Sequence, residues 1–273
     1  MSRGEEYTRE AARLTKKQIH RKKRKMAEVM PFYTAEKLEK PRRFSDFTPD
    51  SYRPISPLSS LSKLAESIIL NRLEVETEHK LIPFQFGFRK GLSATEQLLR
   101  MVEHIREGFC NSVDTAAVFI DIAKAFDRVW IDGLLYKMHK LKVPRKLILL
   151  LQSYLKGRSF VVRVDKDLSS PRTTEAGVVQ GSRLGSHCFN IFINDICQMP
   201  DTEQCLFADD TAIMSSGKNA DTIMTKLNNH LPELGRWLIK WKIKINSDKC
   251  QAVYFSRKRN IPLPPKLYRR AIP

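Results

Sequence analysis

Three carboxylates stand at the ends of apolar runs. Ala116-Ala117-Val118-Phe119-Ile120 reads as a buried strand that leads directly into Asp121. Residues 205–214, Cys-Leu-Phe-Ala-Asp-Asp-Thr-Ala-Ile-Met, are two short apolar runs joined by Asp209 and Asp210, the pattern of a hairpin with two carboxylates at its turn. An apolar strand that ends in a carboxylate must place that charge where a cation or water can reach it. Two such strands side by side in one sheet would bring Asp121, Asp209 and Asp210 to a common edge. Clustered hard oxygen ligands suit Mg2+, which keeps several waters and takes the rest of its shell from phosphates. Two such ions, Mg2+ or Mn2+, about 4 Å apart can activate an attacking 3′-hydroxyl and stabilise the leaving oxygen. An Asp-Asp pair at a turn is also ordinary turn chemistry. The joint pattern, together with the charge of the chain, is what points to a reaction.

The formal net charge of the 273-residue chain is +18. Each Lys or Arg placed on a phosphate releases condensed counterions, so a surplus of this size favours a polyanionic partner, nucleic acid first. No stretch approaches the roughly 20 apolar residues of a membrane span, and no secretory signal is legible in the polar, charged N-terminus. Cys110, Cys188, Cys197, Cys205 and Cys250 are odd in number and contain no CxxC pair. They read as reduced, mostly core thiols of an intracellular protein rather than a disulfide framework or zinc site.

The elements that must position the acids follow from periodicity. Residues 1–39 form a basic N-terminal arm, solvated helix or disordered, whose run Arg21-Lys22-Lys23-Arg24-Lys25 is either a nuclear-import signal or a solvated face. Pro41 to Pro57 reads as extended loop. Leu61, Leu64, Ala65, Ile68 and Leu73 share one face of a helix, and 94–107 reads as another. Pro144 opens a helix that runs to Gly157, and Phe160–Val164 reads as a strand. A long amphipathic helix carries Ile223, Leu227, Leu231, Leu234, Leu238 and Trp241 on one side, with Pro232 placed to kink it.

At these residues the sequence resembles the reverse transcriptase domain of non-LTR (LINE-type) retrotransposons, of the jockey and CR1 kind. The resemblance runs from about Lys40 to Phe255. Phe119-Ile120-Asp121-Ile122-Ala123-Lys124-Ala125-Phe126-Asp127-Arg128-Val129 is similar to the family's motif A. Ala176-Gly177-Val178-Val179-Gln180-Gly181-Ser182 resembles motif B, and Phe207-Ala208-Asp209-Asp210 resembles motif C. Ser51-Tyr52-Arg53-Pro54-Ile55-Ser56 and Gln85-Phe86-Gly87-Phe88-Arg89-Lys90-Gly91 look like its fingers motifs. Trp241–Lys249 resembles motif D.

The resemblance implies an RNA-directed DNA polymerase with an RNA template, a DNA primer and dNTP as partners. Asp121 and Asp209 would hold two ions, with Asp210 assisting and the Ile122 carbonyl as a further ligand. Phe126 would lie beneath the incoming sugar and leave no room for a 2′-hydroxyl. Gln180 and Gly181 would line the nucleotide pocket, and Arg53 and Lys40 would grip the triphosphate. Lys249 would protonate the leaving pyrophosphate. Arg89 and Lys90 would touch template backbone.

The implied fold is α+β, the fingers and palm of a right-hand polymerase, with an antiparallel palm sheet backed by helices. Residues 40–115 would be fingers and 116–255 palm, with part of the fingers around 134–165. Residues 256–273 would be a Pro-rich basic tail, and the family's upstream endonuclease and downstream thumb are not legible. In motif B, Val179 stands where the family has Pro, and Arg183-Leu184-Gly185-Ser186 replaces its apolar-Leu-Ser-Pro. Arg183 puts a charge near the template, which leaves a degenerate fragment that binds nucleic acid without polymerising as the alternative. An unrelated two-metal nuclease or a basic structural protein fits the ordered motifs less well.

Overall fold

A computed structural model describes residues 28–29, 33–35, 54–55, 58–161, 163–164, 167–258, 262–268 and 270–272. Along the chain the strands and α-helices are β1 (Glu28–Val29), β2 (Tyr33–Ala35), β3 (Pro54–Ile55), α1 (Ser60–Thr77), α2 (Ala94–Cys110), β4 (Asp114–Asp121), α3 (Ile131–Lys140), α4 (Arg145–Leu155), β5 (Ser159–Phe160), β6 (Arg163–Val164), β7 (Asp167–Leu168), β8 (Arg172–Thr173), α5 (Arg183–Ile193), β9 (Glu203–Phe207), β10 (Asp210–Gly217), α6 (Ala220–Lys240), β11 (Gln251–Phe255), β12 (Lys266–Leu267) and β13 (Arg270–Ala271). They fall into two compact units, Met1–His79 with Phe126–Ile191, and Lys80–Ala125 with Phe192–Pro273. The division differs from the boundaries expected at 115 and 116. Residues 80–115 go with the acid-bearing sheet because Phe84 and Phe86 hydrogen-bond to Leu206 of β9.

The second unit is built on a four-stranded antiparallel sheet in the order β11-β4-β10-β9. β4 is nearly continuously buried, which explains its run of small and β-branched residues. One face of the sheet packs Ala117, Cys205, Ala212 and Met214 around Met101 of α2. On the other face Ile120 and Leu206 share a small apolar cavity with Leu234, Trp237 and Leu238 of α6. A capping box at Ser93 and Glu96 starts α2, each side chain bonding the other residue's backbone.

α6 buries Ile223, Leu227, Leu231, Leu234 and Leu238 along one stripe, as the periodicity predicts. Pro232 lies on its exposed side and the helix continues through it. The expected C-terminal tail is partly structured: β12 and β13 form a hairpin whose Tyr268 hydroxyl donates to the Gly235 carbonyl at 3.2 Å. Leu267 and Ile272, both buried, supply the apolar surface that holds it.

In the first unit β1 and β2 form an antiparallel hairpin within a five-stranded sheet ordered β3-β2-β1-β6-β7. Residues 28–29 and 33–35 are therefore strand, not part of a disordered or helical arm. Their backbone groups find partners on β3 and β6. The expected strand 160–164 divides into β5 and β6, which belong to different sheets. Pro144 is the N-cap of α4 rather than its first residue.

The buried face of α1 keeps Leu73 of the expected stripe but not Leu61, Leu64, Ala65 or Ile68. Leu61, Leu64 and Ile68 are 76%, 60% and 50% exposed, whereas Glu66, Leu70, Leu73 and Thr77 are buried. Polar partners account for this: Glu66 accepts hydrogen bonds from the Tyr154 hydroxyl and from Ser182 Oγ, and Thr77 Oγ1 pairs with His187 Nε2 at 2.8 Å.

Candidate metal centre

β4 and β10 run antiparallel with Asp121 paired to Asp210, Ile120 to Thr211, and so on down to Asp114 with Gly217. Residues directly opposite in such a ladder project to the same face, their Cβ atoms about 5 Å apart. Asp121 and Asp210 accordingly line one open cavity of about 380 Å³, together with Phe119, Phe207 and Lys249. Asp209 is the second of the two loop residues between β9 and β10 and is half-buried. The expected neighbourhood of the 116–121 strand and the 205–214 hairpin is present. The register places Asp210, rather than Asp209, straight across from Asp121.

The main chain around Asp121 is pinned from the other side. Asn246 N–H donates to the Asp121 carbonyl at 2.8 Å, and Ala123 N–H donates to the Lys244 carbonyl at 2.8 Å. Successive carbonyls of a strand point to opposite edges. The Ile122 carbonyl therefore faces the edge on which β10 lies. The Trp241–Lys249 segment thus buttresses the strand end and delivers Lys249, exposed on the 3-10 turn Ser247–Lys249, to the same cavity as the two acids.

Among the described residues no group of three or more His, Cys, Asp or Glu side chains gathers at metal-ligand spacing. What the register brings together at the strand ends is one pair of facing carboxylates, Asp121 and Asp210, with Asp209 next to it in the loop and the Ile122 carbonyl facing the β10 edge. That set fits Mg2+ or Mn2+ completed by water and phosphate, since Mg2+ is usually held by one or two carboxylates and not by an all-protein cage.

The hairpin turn is strained and held. Ala208 has φ of 58°, a left-handed conformation that costs a non-glycine residue roughly 1–2 kcal/mol. Gln85, 1% exposed, takes both backbone polar groups of that residue. Its Oε1 accepts from Ala208 N–H at 3.0 Å and its Nε2 donates to the Ala208 carbonyl at 3.2 Å. One step earlier on β9, Gln97 Nε2 donates to the Leu206 carbonyl at 3.0 Å and to the Phe84 carbonyl at 2.8 Å. These two glutamines were not anticipated as site-shaping residues. Gln85 lies within a motif recognised in the sequence, but nothing local reveals that its side chain crosses to a hairpin more than a hundred residues away.

In the same loop Arg89 Nη1 donates to the Ile82 and Gln85 carbonyls at 3.0 and 3.2 Å, so part of its guanidinium holds its own loop, while Lys90 is exposed. Lys40, Arg53 and the basic run 21–25 lie outside the described residues.

The first unit holds the other expected site residues. Phe126 is half-buried and stacks on Phe189, ring centroids 4.9 Å apart. Its carbonyl accepts from Val178 N–H at 2.9 Å, and the Val129 carbonyl accepts from Gly177 N–H at 2.8 Å. The end of motif A and the start of motif B are thereby knitted together. Gly177, φ 93°, is required there, since a Cβ would come within 3.0 Å of Asp127 and Phe126 backbone.

Gln180 is half-buried with its Oε1 enclosed, and Gly181 is exposed. Ser182 Oγ donates to Glu66 at 2.8 Å while accepting from Gly185 N–H at 3.1 Å, which fixes the first turn of α5. Val179 is buried with its carbonyl against Gly185, where a Cβ would overlap it. Valine and glycine at two of the departures from the usual motif thus fit each other. Arg183, another departure, is exposed at the start of α5.

The acidic pair across antiparallel strands, with a lysine beside it, sits on the sheet of an α+β fold, and comparison with known proteins gives the family. Residues 38–263 match the model of the reverse transcriptase (RNA-dependent DNA polymerase) family. The chain belongs to that family, in its non-LTR branch. It is 40% identical over 256 residues to a probable RNA-directed DNA polymerase from transposon BS of Drosophila melanogaster, covering 90% of this chain and 27% of that one. It is 40% identical over 219 residues to the RNA-directed DNA polymerase of the mobile element jockey of the same species, covering 77% of this chain and 24% of that one. The chain thus spans about a quarter of the length of these relatives. Among solved structures, apo telomerase from Candida tropicalis superposes with a TM-score of 0.52 at 14% identity, over 74% of this chain and 42% of that one. That likeness is one of fold, the α+β polymerase fold. Among the described residues no helix is long and apolar enough to cross a membrane.

Proposed function

We propose that the chain carries the nucleotidyl-transfer centre of an RNA-directed DNA polymerase, adding dNTP to a primer 3′-hydroxyl on an RNA template. The observation that carries this reading is the Asp121–Asp210 register with Lys249 on the same cavity. Two carboxylates directly opposite one another repel, and divalent cations offset that repulsion. Two ions, Mg2+ or Mn2+, would be held by Asp121, Asp209, Asp210 and the Ile122 carbonyl. They would supply Lewis acidity at the attacking and leaving oxygens.

The remaining work falls to side chains of the chain. The primer 3′-oxygen forms a bond to the α-phosphorus, the bond to the pyrophosphate oxygen breaks, and the hydroxyl proton passes to solvent. Lys249 gives a proton to the departing pyrophosphate. Phe126, braced by Phe189, closes the space a 2′-hydroxyl would need. Gln180 and Gly181 line the nucleotide pocket, Arg53 and Lys40 hold the triphosphate, and Arg89, Lys90 and Arg183 meet template backbone. The net charge of +18 supports nucleic-acid partners.

The test is incubation of the full chain with an oligo(dT) primer on poly(rA), dTTP and Mg2+ or Mn2+. Primer lengthening is expected. Binding of the duplex with no lengthening in either metal would leave nucleic-acid binding as the function.

A further inference from the structure

Gln85 does something unusual for a core glutamine: its side chain completes a strand ladder. The segment 84–86 runs parallel to β9, with Leu206 N–H donating to the Phe84 carbonyl at 3.0 Å and Phe86 N–H donating to the Leu206 carbonyl at 2.9 Å. The next rung of such a ladder would engage the N–H and carbonyl of Ala208. Both are taken instead by the Gln85 side-chain amide. Its Oε1 also accepts from Gly87 N–H at 2.6 Å, which fixes the amide's own orientation. Gly87 is the only residue type that allows this approach, because a Cβ there would overlap the Ala208 nitrogen.

The clasped peptide is not an arbitrary one. Ala208 carries the left-handed φ of the hairpin loop, and the next two residues are Asp209 and Asp210. Mutual repulsion between Asp121 and Asp210 pushes on that loop whenever no cation sits between them. A buried Ala208 peptide without partners would have every reason to rotate out of its strained conformation, carrying the acids with it.

We infer that Gln85 is the positioning residue of the acidic turn, holding Asp209 and Asp210 at ligand geometry through the Ala208 peptide. The inference rests on the metal reading given above. Outer-sphere groups that orient metal ligands typically contribute about 10- to 100-fold in metal affinity. A merely structural glutamine would change stability and leave metal affinity alone.

The experiment is a titration of the purified full chain with Mn2+, read as loss of the free-ion electron paramagnetic resonance signal, which requires no catalysis. Gln85→Met keeps the side-chain length and removes all three hydrogen bonds. It should weaken Mn2+ binding about 10- to 100-fold while far-UV circular dichroism stays native. Asp121→Asn should remove the site. Should Gln85→Met fail to fold, Gln85→Glu keeps the acceptor for the Gly87 and Ala208 N–H groups, loses the donor to the Ala208 carbonyl, and should show a smaller loss. Binding that disappears in Asp121→Asn but is unchanged in the folded Gln85 variant overturns the clasp alone. A native chain that binds no Mn2+, or binds it equally well as Asp121→Asn, overturns the metal reading and the clasp together.

Discussion

Asp210 stands directly across the β4–β10 ladder from Asp121, and both side chains border the cavity that Lys249 enters. In the absence of cations this is a like-charge cross-strand pair, which disfavours the fold by up to about 1 kcal/mol. Asp210→Asn should therefore melt slightly higher than the native chain in EDTA. The same variant should lose most of the stabilisation that Mn2+ gives the native chain, because ligand binding to the folded state alone is what raises the melting point. Thermal melts in the two buffers check both signs. A variant that is less stable in EDTA, or equally stabilised by Mn2+, would contradict the pairing as an ion site.

Phe126 is anchored by Phe189 and by its carbonyl's bond to Val178 N–H. If the ring closes the sugar pocket, Phe126→Val should raise the relative use of UTP over dTTP by about tenfold or more, the scale of one lost steric contact in a pocket. Competitive incorporation with both nucleotides measures the ratio. An unchanged preference would make the ring a packing residue only.

His230 is fully buried between α6 and the start of β9, with Thr202 Oγ1 at 2.6 Å from Nδ1 and Gln204 Nε2 at 3.0 Å from Nε2. Burial pushes its imidazole below the ordinary 6.5, against the opposing pull of the Cys197 backbone. The unfolded chain therefore takes up a proton before the folded chain does. Stability from this group is fully present above 6.5 and is lost as the pH falls below it. Half-buried His104, also lowered by burial, acts in the same direction. Urea midpoints should fall between about pH 7.5 and about pH 5.5, the interval over which histidine titrates. The fall should be shallower in His230→Leu, and an equal slope in the variant would refute the assignment.

Much of the centre was legible in the sequence for a physical reason. A buried strand must be apolar along its length, so a carboxylate at its end stands out, as Asp121 does, and an acidic pair between two apolar runs marks a hairpin. The α6 stripe was legible because nearly all of its buried residues are apolar, His230 being the polar one among them. The α1 face was not: periodicity assumes that apolar residues are the buried ones, whereas Glu66 and Thr77 are buried through polar partners that lie far away in the chain. The Gln85 clasp was hidden for the same reason, since side chain-to-backbone bonds between distant segments leave no local pattern. The β1–β2 hairpin was masked by the basic residues that surround it in sequence.

Nucleic-acid affinity should follow the charge. With +18 on the chain, binding of an RNA–DNA duplex should weaken by about 10³-fold or more between about 50 and 200 mM salt, as expected for several phosphate contacts. Fluorescence anisotropy at several salt concentrations gives the slope. An affinity indifferent to salt would rule out an electrostatic groove.

The central claim is that Asp121, at the end of β4, serves the transfer of a nucleotide to a primer. Single-nucleotide addition of the chain-terminating ddTTP to oligo(dT) on poly(rA) tests it most directly, with the native chain and Asp121→Asn measured side by side in Mg2+ and Mn2+. The native chain should extend the primer by one nucleotide, and Asp121→Asn should do so about 100- to 1,000-fold more slowly, the scale of one removed electrostatic contact to a transition state. Equal rates in the two proteins, or no extension by the native chain in either metal, would contradict the account.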